Sequence, residues 1–217
     1  MSAPMEDKNL FERLLECKNE KILTIKQSYI GDVGCVVWDA ALVLSKYIES
    51  KGFSDRFGEI KGKKVVELGA GTGAVGLVAA TKGALVKITD LADFIPLMQM
   101  NIDCNQDVLE GPATAMELKW GGDVSKFLPH PNLILMSDCI YYMEALDGLV
   151  KTMDDLSNKD THILCCYEER TIGQNVEAQR KFTKLVEAIF TVNEVPLAEQ
   201  DAEYRSMDIH ILHLMKR

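Results

Sequence analysis

Three alternate glycines separate a short apolar run from a run of small residues, in the segment Glu67–Gly73 (E-L-G-A-G-T-G). The apolar run before them predicts a buried strand at 64–68. The run after them, residues 74–82, predicts a helix that ends at Gly83, a natural C-cap. Glycines let a backbone turn tightly and approach a ligand without a Cβ in the way, and the helix that follows presents free N–H groups. The segment therefore predicts a strand–turn–helix unit that holds a nucleotide-like ligand.

Strand and helix patterns alternate along the rest of the chain. Asn132–Ser137 is continuously apolar, which is typical of a strand buried on both faces. This alternation predicts an α/β fold with a parallel sheet and helices on both faces. The last two strand patterns have no helix between them, so they should form an antiparallel hairpin. The expected strands are 64–68, 85–89, 113–118, 132–137, 161–167, 189–195 and 208–215, and the expected helices are 74–82, 94–102, 145–156 and 176–188.

An extension precedes this core. Residues 11–17 and 21–28 alternate apolar and polar side chains, which predicts a β-hairpin. Residues 37–49 have helical spacing, and 52–62 read as a polar connection. We therefore expect one domain over 11–217, with an N-terminal extension at 11–50, a Rossmann-like core at 63–217, and disorder at 1–10.

Charge and cysteine content narrow the class of partner. The net charge is −9, whereas a protein that grips nucleic acid by its phosphates usually has a basic footprint. The six cysteines form no C-x-x-C pair, which disfavours a zinc site, and His210 and His213 should lie on opposite faces of one strand. No apolar run is long enough to span a bilayer. We expect no metal, no nucleic-acid or membrane partner, a monomer, and a cytoplasmic location with some protein in the nucleus.

The glycine turn alone leaves the ligand open. Residues 71–76 also fit G-x-G-x-x-G, the dinucleotide fingerprint, and Asp90 at the end of the next strand would suit the ribose diol of either NAD or S-adenosylmethionine (SAM). Glu67 before the first glycine and the antiparallel ending favour SAM. The indicated function is that of a SAM-dependent methyltransferase, with an NAD-dependent oxidoreductase and a non-catalytic binding module as alternatives.

Five motifs occur in an order that makes a family resemblance specific: V-V-W-D-A-A, E-L-G-A-G-T-G, L-K-W, D-C-I-Y-Y and C-Y-E-E-R. Over residues 11–215 the chain resembles the methyltransferase-like 21 group of protein-lysine methyltransferases. The resemblance implies a seven-strand, class I SAM-dependent fold and a non-histone protein substrate. Residues 34–41 and 203–211 point, within the group, to the AAA ATPase valosin-containing protein as that substrate.

The resemblance also implies roles for individual residues. Asp138 and Tyr141 match a D-x-x-Y motif at the mouth of a lysine channel and are the expected catalytic residues. Glu168 ends a strand at the same sheet edge and is a candidate substrate contact. Ser137 stands where the family usually has alanine. The glycine turn and the resemblance together predict binding of SAM, and of its product S-adenosylhomocysteine (SAH), by Trp38, Glu67, Gly69, Ala70, Gly71, Gly73, Asp90, Trp120 and Ser137.

The expected chemistry is methyl transfer to a lysine amine. Asp138 would capture and orient the ammonium, while water or Tyr141 would help carry its proton away. Cys139 and Ile140 occupy the positions where nucleobase methyltransferases of a related motif have prolines, which argues against a flipped base as substrate.

Overall fold

A computed structural model describes residues 9–18, 20–171, 173 and 175–217. The expected disorder at 1–10 falls outside the described residues for 1–8, and Leu10 already begins the first strand. The strands are β1 (Leu10–Glu16), β2 (Ile22–Ser28), β3 (Lys64–Leu68), β4 (Leu85–Asp90), β5 (Ala113–Glu117), β6 (Leu133–Ser137), β7 (His162–Glu168), β8 (Phe190–Glu194) and β9 (Ile209–Lys216). The helices are α1 (Asp39–Ile48), α2 (Lys51–Phe57), α3 (Ala74–Thr81), α4 (Ile95–Asp103), α5 (Leu146–Leu156) and α6 (Asn175–Ile189).

Seven strands form one sheet in the order β5-β4-β3-β6-β7-β9-β8. The first five are parallel, and β9 lies antiparallel between β7 and β8. The sheet therefore confirms the α/β class and the antiparallel ending. Strand β3 pairs with β4 on one side and β6 on the other, so the strand order reverses there. In open α/β sheets a ligand crevice lies at this point, beyond the carboxyl ends of the strands.

The sheet is buried on both faces. In β3, Val65 belongs to the core under α1, α3 and α4, while Val66 belongs to the core under α5 and α6. In β6, Leu135 and Met136 divide in the same way. Successive side chains point to opposite faces, so a strand with a core on each side must be apolar at every position. This explains the uninterrupted apolar run of β6.

The extension packs against the core through buried amides. Strands β1 and β2 form the expected antiparallel hairpin. Asn101 of α4 accepts from the backbone N–H of Lys26 (2.7 Å) and donates to its carbonyl (3.0 Å). Asn105 makes the same pair of bonds with Thr24, at 2.8 Å each. The two side chains thereby satisfy backbone groups that an edge strand would otherwise leave unpaired.

The polar connection expected at 52–62 was a wrong interpretation, because it contains most of α2. Ser50 caps this helix by accepting from the N–H of Phe53 at 3.1 Å. Phe53 and Phe57 are one turn apart and are both buried. Gly58 then ends the helix with a φ of 70°. A hydroxyl cap and an apolar pair at this spacing outweigh the polar composition.

The histidines of β9 contact different neighbours, as expected for opposite faces of a strand. His210 lies 2.7 Å from a Glu194 carboxylate oxygen, and His213 lies 2.9 Å from a ring nitrogen of His162. Within the described residues, no group of three or more histidine, cysteine, aspartate or glutamate side chains could hold a metal ion. None of the helices described is long and apolar enough to cross a membrane.

Candidate active site

A cavity of about 350 Å³ opens at the carboxyl ends of β3, β4 and β6. Its volume is in the range of small-molecule sites. The glycine turn, the loop before α1 and the segment after β6 contribute to its walls. The sequence-predicted residues that line it are Trp38, Glu67, Gly69, Ala70, Gly71, Asp90, Trp120, Ser137, Asp138 and Tyr141.

The glycines of the turn are required by both conformation and space. Gly69 and Gly71 have φ values of 60° and 54°, in the left-handed region. A Cβ on Gly71 would lie 2.3 Å from the carbonyl oxygen of Gly34. A Cβ on Gly69 would lie 2.7 Å from Cys139 and 2.8 Å from Trp120. Any side chain at either position would therefore push into a wall of the cavity.

Two residues of the motif have different surroundings from those predicted. Glu67 borders the cavity, but its carboxylate is buried and accepts from the N–H of Gly76 in α3 at 2.8 Å. Glu67 therefore holds helix α3 against strand β3. Gly73 lies outside the cavity lining, because it caps α3 on the side where an added Cβ would meet Ile88 at 3.1 Å. We therefore assign Gly73 to the turn rather than to ligand contact.

Asp90 fixes the shape of the turn from the end of β4. One carboxylate oxygen accepts from the N–H of Gly71 at 2.8 Å, and the other accepts from Leu91 at 2.7 Å. Burial raises the pKa of Asp90, while these two hydrogen bonds oppose the rise. Each oxygen has a second acceptor direction, so the carboxylate can also bind a pair of hydroxyls.

The two tryptophans lie on different backbone elements. Trp38 was expected on the helix, but its backbone is extended and it is the N-cap of α1. Its indole N–H donates to the carbonyl of Val33 at 2.8 Å, which fixes the ring at the cavity edge. Trp120 follows β5 in a loop, as expected, and packs against the core beside α5.

Asp138 has a strained backbone and an unsatisfied oxygen. Its φ is 49°, a conformation that few non-glycine residues adopt and that is often stored at functional sites. Its Oδ1 accepts from the N–H of Glu168 at 3.0 Å. Its Oδ2 is buried with no hydrogen-bond partner among the described residues. Burial raises the pKa of Asp138 above its usual range.

A second cavity, of about 90 Å³, shares Val33, Trp38, Asp138 and Tyr141 with the first. Glu168, the candidate substrate contact, lines this one. Burial raises the pKa of Tyr141, so its hydroxyl stays protonated at neutral pH. A narrow, partly aromatic space with carboxylates in its lining suits an aliphatic chain that carries a cation. The side chains that line only the second cavity are Ile140, Tyr167, Glu168, Arg170, Asn175 and Gln179.

Several residues that line the larger cavity were not among the predicted site residues. Asp32, Val33 and Gly34 reach the cavity from the extension, and Phe94 reaches it from the turn before α4. Gly34 has a packing reason to be glycine, because a Cβ there would lie 2.8 Å from the Phe94 ring. Their position depends on how the extension packs, which local sequence patterns do not report.

Comparison with known proteins agrees with this geometry. A family model described as lysine methyltransferase matches residues 17–189. The mouse protein N-lysine methyltransferase METTL21A is 36% identical over 187 residues, which cover 85% of this chain and 78% of that protein. The EEF1A lysine methyltransferase 3 of Xenopus tropicalis is 36% identical over 143 residues, covering 65% of this chain and 61% of that protein.

A solved structure shows the same architecture. The T. thermophilus 16S rRNA methyltransferase RsmC, in complex with AdoMet and guanosine, superposes with a TM-score of 0.66 at 16% identity, covering 100% of this chain and 53% of that one. At this identity the likeness establishes the fold, that of the class I SAM-dependent methyltransferases. The family match and the relatives establish more: the chain is an enzyme of the lysine methyltransferase family, within the methyltransferase-like 21 group of protein-lysine methyltransferases.

Proposed function

We propose that the protein transfers a methyl group from SAM to a lysine side chain of a non-histone protein, with Asp138 as the residue that receives the lysine. The unsatisfied Oδ2 of Asp138 carries this proposal. A buried carboxylate oxygen without a partner is costly, and a substrate ammonium would satisfy it. The side chain borders both cavities, so it stands between a cofactor-sized space and a narrow one.

The residues of the larger cavity fit SAM. The glycine turn leaves room that a Cβ would fill, Asp90 offers carboxylate oxygens to a ribose diol, and Val37, Phe94 and Leu118 supply apolar walls. When bound, SAM supplies a methyl group on a sulfonium, which is already activated for displacement. The remaining task of the protein is to orient the nucleophile, and well-oriented reactants can account for a large part of a rate enhancement.

The nucleophile is the harder problem. A free lysine has a pKa of about 10.4, so producing the neutral amine at pH 7 costs about 5 kcal/mol. Trp38, Tyr141 and Tyr167 form a partly apolar channel, which favours the neutral amine by desolvation. The Asp138 carboxylate works in the other direction, because it favours the ammonium. We assign it to capture and alignment of the ammonium before the proton leaves.

Tyr141 cannot act as a base at neutral pH, because burial keeps its hydroxyl protonated. It can donate a hydrogen bond, or pass a proton on while it accepts another. Water at the channel mouth is then the final proton acceptor. Tyr141 therefore aligns the amine and connects it to solvent, and Tyr141→Phe should reduce the rate of methyl transfer more than it reduces SAM binding.

The test uses Asp138→Asn, which keeps the shape of the side chain and removes its charge. Methyl transfer from labelled SAM should be lost, whereas SAH binding measured by calorimetry should stay within a few-fold of the wild type. The matched control is Asp160→Asn, which changes an exposed aspartate at the other end of β7. If the Asp138 variant keeps wild-type activity, the role assigned to this carboxylate is wrong.

For the substrate we propose valosin-containing protein, on the two segments at 34–41 and 203–211. The experiment incubates purified valosin-containing protein and, in parallel, a cell lysate with the enzyme and labelled SAM, and then identifies the labelled molecule and maps the methylated residue by mass spectrometry. Label on a lysine supports the proposal. Label that appears only on other proteins of a cell lysate refutes this substrate but not lysine methylation, whereas label on RNA or a metabolite refutes both.

Thermal stabilisation by NAD rather than SAH would favour an oxidoreductase.

A further inference from the structure

The lining of the smaller cavity already includes a cation of the protein itself, Arg170. The Arg170 guanidinium carbon lies 5.2 Å from the centroid of the Trp38 ring. Its Nη2 lies 3.4 Å from a carboxylate oxygen of Glu168. Both side chains also line the smaller cavity, as does Asp138. An aromatic face and the Glu168 carboxylate thus contact one positive charge, in a cavity that Asp138 also lines.

These surroundings are the ones that a lysine ammonium needs. A cation over an indole ring is attracted by the ring face, and a carboxylate strengthens the attraction. A second cation at the same place would meet like-charge repulsion. Burial raises the pKa of Asp138, while the backbone hydrogen bond from Glu168 and then the Arg170 charge oppose that rise.

We propose that Arg170 is a positioning residue that occupies the cation site of the channel in the substrate-free enzyme, and that the target lysine displaces it from Trp38. This inference rests on the proposed function. The Arg170 side chain is 38% exposed, so it can leave the Trp38 ring for solvent without disturbing the core. It keeps the aromatic face covered and the Glu168 carboxylate paired until a lysine arrives.

A fixed structural role for Arg170 makes the opposite prediction. If the guanidinium were a permanent wall that holds Trp38 in place, its removal would loosen the channel and weaken the binding of a cation. If it is a placeholder, its removal frees the site and strengthens that binding. Arg170→Met separates the two, because methionine keeps an unbranched, packable side chain and loses the charge.

The probe is n-butylammonium chloride, which has the tail of a lysine side chain, titrated into the SAH-loaded enzyme. Binding is followed by the indole NMR signal of Trp38, assigned by its loss in Trp38→Phe. We expect Arg170→Met to tighten butylammonium binding by about two- to fivefold, because the amine no longer has to displace a cation whose exposed cation–π contact contributes about that factor. Arg170→Lys should keep the wild-type affinity for butylammonium. The uncharged probe n-butanol should bind the wild type and Arg170→Met equally. The control is Arg180→Met, an exposed arginine on α6.

Each other outcome has a distinct meaning. If Arg170→Met binds butylammonium as weakly as the wild type, or more weakly, the placeholder role is refuted while the channel stands. If butanol binding tightens as much as butylammonium binding, the gain comes from space rather than charge, and the role is also refuted. If butylammonium moves the Trp38 signal in none of the SAH-bound proteins, the channel itself is misassigned and the proposed function fails with it.

Discussion

Replacement of Glu67 by glutamine should make the protein more stable at alkaline pH. The Glu67 side chain is buried, and its carboxylate accepts one hydrogen bond from the N–H of Gly76 at 2.8 Å. Burial raises its pKa from 4.5 to about 8, although the bond from Gly76 opposes the rise. Glu67 is therefore mostly protonated in the folded protein at pH 7, and glutamine is its neutral analogue.

The magnitude follows from proton linkage. Between pH 4.5 and about 8 the folded state holds a proton on Glu67 that the unfolded state has lost. The free energy of unfolding then falls by about 1.4 kcal/mol per pH unit. Over the whole interval the loss reaches about 5 kcal/mol, and it is complete above the folded pKa. Glu67→Gln removes this dependence, so its advantage over the wild type should grow from near zero below pH 4.5 to its maximum above pH 8.

Urea unfolding of both proteins without cofactor, at intervals from pH 5 to pH 9, measures this difference. All other titrating groups are common to the two proteins, so their contributions cancel when one curve is subtracted from the other. The subtracted curve should rise with pH at the linkage slope and level off near pH 8. A flat curve would show that the helix amides keep Glu67 ionised, and that burial does not dominate its pKa.

Three further perturbations test the turn, the extension and the sheet. Gly71→Ala should abolish the SAH-induced rise in melting temperature, because its Cβ would lie 2.3 Å from the Gly34 carbonyl at a φ of 54°; a normal rise would refute the cradle. Asn101→Ala should lower the free energy of unfolding in urea by about 2–3 kcal/mol, because it leaves the buried Thr72 carbonyl and the other partners of Asn101 without their hydrogen bonds. A decrease of less than about 0.5 kcal/mol would contradict this role. The pKa of His213 is lowered to about 4, mainly by burial, so His213 contributes a loss of stability of about 1.4 kcal/mol per unit as the pH drops from 6.5 to 4. The difference in unfolding free energy between the wild type and His213→Gln should show that slope, and identical pH curves would refute it.

The sheet could be predicted because burial on two faces leaves a strong sequence pattern. Strand β6 has no polar residue before Ser137, strand β3 is followed by Gly69, and strand β4 ends at Asp90. The antiparallel ending followed from the absence of a helical pattern between the last two strands, since a parallel crossover usually contains a helix. Helix α2 was missed because its evidence is two aromatic residues one turn apart, and their burial depends on the elements packed around them.

The site was predictable where it lies at strand ends. Parallel strands bring their carboxyl ends to one edge, so Gly69, Asp90 and Asp138 had to be neighbours once the strand order was known. The extension was different. Nothing local in the sequence shows that Gly34 meets Gly71, or that the distant residue Arg170 covers Trp38.

The extension is part of the active site rather than an addition to it. Asn101 joins the hairpin to the glycine turn, because its amide binds the backbone of Lys26 and donates to the carbonyl of Thr72 at 2.9 Å. The Gly34 carbonyl then packs directly against Gly71. A change in the hairpin can therefore reach the glycine turn through these two contacts. The Rossmann-like core provides the floor of the larger cavity, and residues outside that core supply the wall that holds Trp38 beside the proposed lysine channel.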